Sequence, residues 1–108
     1  MGMNESEFLA AAERTLAAIE SAVEACDADV ETTRAGNVLT LELADGSRIV
    51  VNSQTPMRQI WMAAKSGGYH YEWRDGAWRD TRDGSELFAA LSRVLSAQGD
   101  VAVLLRAG

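Results

Sequence analysis

Apolar side chains recur at three- and four-residue steps through the first quarter of the chain, at Phe8, Ala12, Leu16, Ile19, Val23 and Cys26. That spacing predicts an amphipathic helix over about residues 5–26, with Asn4 as N-cap and Glu7 completing a capping box. Cys26 falls on the same stripe, as a small buried residue. The period then changes to two. Val30 to Arg34 reads as a short edge strand, which Gly36-Asn37 turns into Val38 to Ala44, where Leu39, Leu41 and Leu43 alternate with Val38, Thr40 and Glu42. Such alternation describes an antiparallel sheet with one buried face. Asp45-Gly46 predicts a type I′ hairpin turn into a strand at Arg48 to Gln54. Pro56, with no N–H to donate, interrupts the ladder before a strand at Gln59 to Ala64. Ser66-Gly67-Gly68 reads as a break. Tyr69 to Trp73 and Ala77 to Thr81 follow as strands joined at Asp75-Gly76. Ser85 is the expected cap of a second helix, whose stripe is Leu87, Phe88, Leu91, Val94 and Leu95 and whose stop is Gly99. Val101 to Leu105 is apolar enough to pack as a tail, as a strand or an irregular segment.

These elements predict an α+β two-layer sandwich, a single domain over residues 1–108 with the N- and C-terminal helices on one face of an antiparallel sheet. The other face is left to water. Period two places Asn52, Gln54, Gln59 and Trp61 together on that face if Ile60 and Met62 point to the core. An indole among three amides, turned to solvent, reads as a binding surface. His70 shares the outward phase, as a partner contact or as an exposed histidine of no special role. Trp73 and Trp78 are expected in the core.

Charge sharpens the picture. The net charge of −6 hides an asymmetry, because residues 1–31 carry eight acids against Arg14 alone. The other 77 residues hold eight acids and nine bases. At 100° per residue, Glu13, Glu20, Glu24 and Asp27 lie about a quarter-turn from the apolar stripe, a ridge that Asp29 and Glu31 continue past the helix. A negative flank excludes nucleic acid as partner and suits cations or a basic protein surface. No apolar run reaches the length of a membrane span. One cysteine and one histidine exclude a disulfide scaffold and a zinc cage.

Catalytic machinery is not visible: the sequence has no nucleophile elbow, phosphate-binding glycine loop or dinucleotide fingerprint. Carboxylates without thiolate or imidazole suit hard and borderline ions such as Fe²⁺, Fe³⁺, Mn²⁺ and Ca²⁺, bound weakly and with little selectivity. A merely solvated acidic face fits the same residues. His70 is the only imidazole available as an axial haem ligand.

The run Asn52-x-Gln54-x-Pro56-x-x-Gln59-Ile60-Trp61-x-Ala63, followed by Ser66-Gly67-Gly68 and an aromatic strand, resembles the frataxin family in its bacterial CyaY-type form. The acidic first helix and apolar last helix extend the likeness to most of the chain. The resemblance implies weak iron binding through the first helix and first strand, which by position assigns Glu5, Glu20, Glu24, Asp27, Asp29 and Glu31. Leu9, Ser21 and Ala25 stand where relatives can carry His or acids. It further implies docking on the cysteine desulfurase and scaffold protein of iron–sulfur assembly, through the ridge and through Asn52, Gln54, Gln59, Trp61 and His70. Control of desulfurase turnover is the implied outcome, by a monomer that can oligomerise on loading with iron. An acidic adaptor for which iron is incidental, and a weak ferroxidase, are the competing readings. The absence of a basic leader leads to an expected place in a bacterial cytoplasm.

Overall fold

A computed structural model describes residues 3–26, 28–99 and 104–105. Helix α1 (Glu5–Ala25) opens on the expected capping box. The Asn4 side chain accepts the Glu7 N–H at 2.8 Å, and the Glu7 carboxylate accepts the Asn4 N–H at 2.9 Å. Two of the four backbone donors that a helix start leaves unpaired are thereby satisfied. Strands β1 (Val30–Ala35), β2 (Val38–Leu43), β3 (Arg48–Gln54), β4 (Gln59–Ala64), β5 (Gly67–Arg74) and β6 (Ala77–Asp80) follow, and helix α2 (Leu87–Gly99) closes the fold. The strands form one antiparallel sheet in sequence order, with both helices on one face. Among the described residues no helix is long and apolar enough to cross a membrane.

The core lies between these layers. Leu39, Leu41, Ile49, Val51, Ile60 and Tyr71 come from the sheet, Phe8 and Ile19 from α1, and Leu87, Leu91 and Leu95 from α2, all at 0% exposure. Each is an inward position of the period-two or period-3.6 pattern, so burial of one sheet face fixes the phase of every strand. Trp78 is also enclosed, and its indole N–H donates to Thr15 Oγ1 of α1 at 2.9 Å.

Local chemistry departs from the sequence reading in four places, and at a fifth, the Asp75-Gly76 turn, it follows that reading. Gly67 and Gly68 belong to β5 and pair with Ala64 and Ala63, Gly67 entering the ladder at a φ of 138° that glycine adopts without strain. Only Gly46 adopts positive φ in the β2–β3 loop, so that turn is not type I′; Asp45 instead accepts the Ser47 N–H and hydroxyl at 2.9 and 2.6 Å. Asp75 and Gly76 both have positive φ (54° and 78°), the geometry a two-residue hairpin turn requires. The cap of α2 is Glu86, not Ser85: its carboxylate accepts the N–H groups of Phe88 and Ala89 at 2.8 and 3.0 Å. Trp73 is 41% exposed, since the helices enclose Tyr71 in mid-strand and leave the strand's end open, where Trp73 rests edge-on against Trp78.

Cys26 is half-buried at the C-terminus of α1, with its thiol against the Val23 carbonyl at 3.0 Å. Of the apolar tail, Leu105 is buried on α2 and donates its N–H to Ser92 Oγ at 2.7 Å. Val101, Ala102 and Val103 lie outside the described residues.

Tyr71 carries a buried hydroxyl with no hydrogen-bond partner among the described residues. Burial, reinforced by the nearby Asp80 carboxylate, raises its pKa above the ordinary 10.0. The folded state therefore holds this proton more tightly than the unfolded chain does. The resulting stability is complete below pH 10.0 and is lost as pH rises toward the raised value. Tyr71→Phe should flatten that alkaline loss in urea-denaturation series. At pH 7 it should leave stability unchanged or raised by up to about 1 kcal/mol, since it removes an unpaired polar group.

Candidate functional site

Strand register builds the outward face of the sheet. Asn52 of β3 is opposite Trp61 of β4, and Trp61 is opposite His70 of β5, so the three side chains form one row. Val38 extends the row on the far side of Asn52. The next row on the same face is Gln54, Gln59, Glu72 and Arg79. Strand geometry sets the two rows about 7 Å apart. Neither helix covers them. The five residues Asn52, Gln54, Gln59, Trp61 and His70 are thus brought onto one surface.

The Trp61 and His70 rings are stacked, with centroids 4.2 Å apart and planes 11° from parallel. Cross-strand neighbours on one face are close enough for such contact. Gln59, two residues before Trp61 and so on the same face, accepts the indole N–H through Oε1 at 2.8 Å. The indole's only donor is spent within the sheet, leaving a stacked aromatic pair, the indole half-buried and the imidazole exposed, bordered by amide groups. Such a surface offers a partner chain apolar area and hydrogen bonds at once.

The acidic residues divide into separate groups. Glu13 and Glu24 of α1 reach β1, where Arg34 Nη2 donates to Glu13 at 2.9 Å and Thr32 Oγ1 to Glu24 at 3.3 Å. Thr32 and Arg34 face the helix layer because they pair with Leu41 and Leu39, which point into the core. Glu20 lies one turn before Glu24 on the same side of α1, so these two can share an ion. Glu5 is in the first turn, about 28 Å along the axis from Glu24 at 1.5 Å per residue, and cannot join them. Asp29 is exposed just before β1. Glu31 falls on the outward face of β1, opposite Glu42, whose other neighbour is Arg48. The sheet separates Glu31 from Glu20 and Glu24. Asp27 lies outside the described residues. Among the described residues no three His, Cys, Asp or Glu side chains are grouped to hold a metal ion.

Glu42 was legible in the sequence and overlooked. The two-residue turn Gly36-Asn37 sets Ala35 opposite Val38, and counting outward from it places Glu31 opposite Glu42. The hold of Arg34 on Glu13 carried no comparable signal, because it depends on where α1 lies across β1.

The fold and these surfaces define a class: a helix-on-sheet protein with an acidic flank beside an uncovered aromatic face. Comparison with known proteins narrows it. The model of the frataxin-like domain matches residues 1–101. The iron-sulfur cluster assembly protein CyaY of Paraburkholderia phymatum is 56% identical over 96 residues, covering 89% of this chain and 91% of that protein. The protein of the same name from Ralstonia pickettii is 54% identical over 111 residues, covering 98% and 97%. Among solved structures, frataxin from Psychromonas ingrahamii superposes with a TM-score of 0.88 at 35% identity, over 94% of this chain and 97% of that one. Trimeric yeast frataxin complexed with ferrous ion gives 0.63 at 26% identity, over 95% and 88%. The chain belongs to the frataxin family, among the CyaY iron–sulfur cluster assembly proteins.

The stack has a direct spectroscopic consequence. In proton NMR the His70 ring signals should appear upfield of those of a free histidine, shielded by the indole face. Trp61→Ala should return them to ordinary positions while leaving amide shifts of the inward-facing residues in place; unshifted His70 signals in the unsubstituted protein would contradict the stacking.

Proposed function

We propose that this protein is an iron-binding regulator of iron–sulfur cluster assembly, and a donor of iron to it, that acts by docking on the cysteine desulfurase and its scaffold protein. The observation that carries this reading is the Trp61–His70 stack with Asn52, Gln54 and Gln59 around it on an uncovered sheet face. Aromatic side chains ringed by polar groups supply the central anchors of protein interfaces. The acidic flank complements a basic partner surface and speeds encounter in a salt-dependent way. Iron is cargo held loosely, by Glu20 with Glu24 and by single carboxylates elsewhere. Carboxylate pairs on a solvated helix must give up side-chain freedom to converge on an ion, so affinity is low and other hard cations compete. Family membership supports the pathway, and a bacterial cytoplasm suits the role.

One observation favours a second reading, an acidic adaptor for which iron is incidental. Glu13 and Glu24 already have hydrogen-bond partners on β1, which lowers their availability to a metal.

Two variants separate the surfaces. Charge reversal at Glu20, Glu24 and Asp27 to Lys should reduce both Fe²⁺ uptake and desulfurase association, the latter more at low salt than at high. Trp61→Ala should leave Fe²⁺ uptake unchanged and weaken the complex roughly tenfold or more, the scale of a lost aromatic anchor. Association unchanged in both variants would refute docking. Desulfurase turnover that ignores iron while still responding to the protein would select the adaptor reading.

A further inference from the structure

A cleft of about 470 Å³ lies on the other layer of the molecule, between the β4–β5 turn and the C-terminal half of α2. Tyr69, Val94 and Ala97 give it a mostly apolar lining, to which Lys65, Ser66 and Arg93 add polar groups. Its walls are tied together. The Gln98 carboxamide accepts the Lys65 N–H at 3.1 Å and donates to Ser47 Oγ at 3.0 Å and to the Arg48 carbonyl at 3.3 Å, joining α2 to two sheet loops. The Tyr69 and Ser66 hydroxyls are 2.7 Å apart. Two hydroxyls sharing one hydrogen bond leave one O–H able to donate elsewhere.

The charge around this cleft runs against that of the whole chain. Lys65 and Arg93 line it, and the Arg82 guanidinium carbon is 5.7 Å from the Tyr69 ring centroid, three cations about one tyrosine in a chain of net charge −6. Acids nearby neutralise them only in part. Asp45 pairs with Lys65 at 3.7 Å between exposed side chains, a contact worth little in water, and Asp80 pairs with Arg82 at 4.0 Å, so that Arg82 contributes least to the cleft. Asp83 lies near Arg93 and Arg82, with its carboxylate occupied mainly by the Ser85 N–H at 2.9 Å. Arg93 takes part in none of the ion pairs of the described structure.

A preformed apolar cleft of this size with cations on its lining matches the requirements of a small organic anion. We propose that it binds a compact ring or short hydrocarbon bearing one carboxylate or phosphate, the body against Tyr69, Val94 and Ala97 and the charged group held by Lys65 and Arg93. This site is separate from the Trp61 face and does not depend on the docking reading. Both can be occupied together.

The test is a proton–nitrogen NMR titration of the full chain with phenyl phosphate, 3-phenylpropionate, inorganic phosphate and phenol in parallel. Saturable shifts confined to residues 65–69 and 93–98, produced by phenyl phosphate or 3-phenylpropionate, support the proposal, and the stronger of the two identifies the head group. Lys65→Ala and Arg93→Ala should each weaken that binding at least fivefold, with Lys65→Arg and Arg93→Lys retaining most of it. All four are surface changes, and unaltered spectra elsewhere verify the fold. The proposal is overturned if neither organic anion saturates, or if inorganic phosphate or phenol alone binds the cleft equally well. Shifts scattered over the other arginines, or alanine variants that bind as tightly as the parent, overturn it too.

Discussion

The inner face of the sheet is sealed by two helical stripes, and this single burial dictates most of what the molecule can do. Phe8, Leu16 and Ile19 of α1 and Leu87, Leu91 and Leu95 of α2 meet Leu39, Leu41, Ile49, Val51 and Ile60 with almost no exposure left. A strand slipped by one residue would turn its leucines to water and its polar residues into the core. Phase is therefore enforced over all six strands at once. Because the helices lie on one side only, the residues of opposite phase are released from packing. Trp61, His70 and their amide neighbours occupy that released face.

The same constraint explains why the acids do not form one site. A helix laid over β1 brings Glu13 and Glu24 to the inward residues Arg34 and Thr32, whereas the alternation of β1 sends Glu31 to the opposite side. Negative charge is concentrated at one end of the sequence but spread over two layers in space. Such a distribution generates a long-range field, which depends on total charge, more readily than a tight chelate, which depends on convergence. Opposite polarity collects around Tyr69, where Lys65, Arg82 and Arg93 come from three different elements.

Buried polar groups mark where the frame is pinned or stressed. Trp78 and Thr15 join the last strand to α1 by a partly buried hydrogen bond, and Ser92 holds Leu105 against α2 by a buried one. The Tyr71 hydroxyl is the contrasting case, enclosed without a partner among the described residues. Its ring fills the centre of β5, and the phenol oxygen comes with it.

Helix α1 with its capping box, the boundaries of β3 and β4 and the outward position of Trp61 were legible in the sequence, because each follows from local periodicity or from a residue with a fixed backbone role. Asn4 and Glu7 carry their own hydrogen-bond geometry, and Pro56 removes a donor wherever it stands. What the tertiary structure decided involves elements far apart in the chain. The exposure of Trp73 depends on how far the helices reach, the transfer of the α2 cap to Glu86 on how the chain leaves β6, and the Glu13–Arg34 pair on the angle of α1 over β1. Periodicity states which way a side chain points relative to its own strand or helix; only packing determines what stands there to meet it.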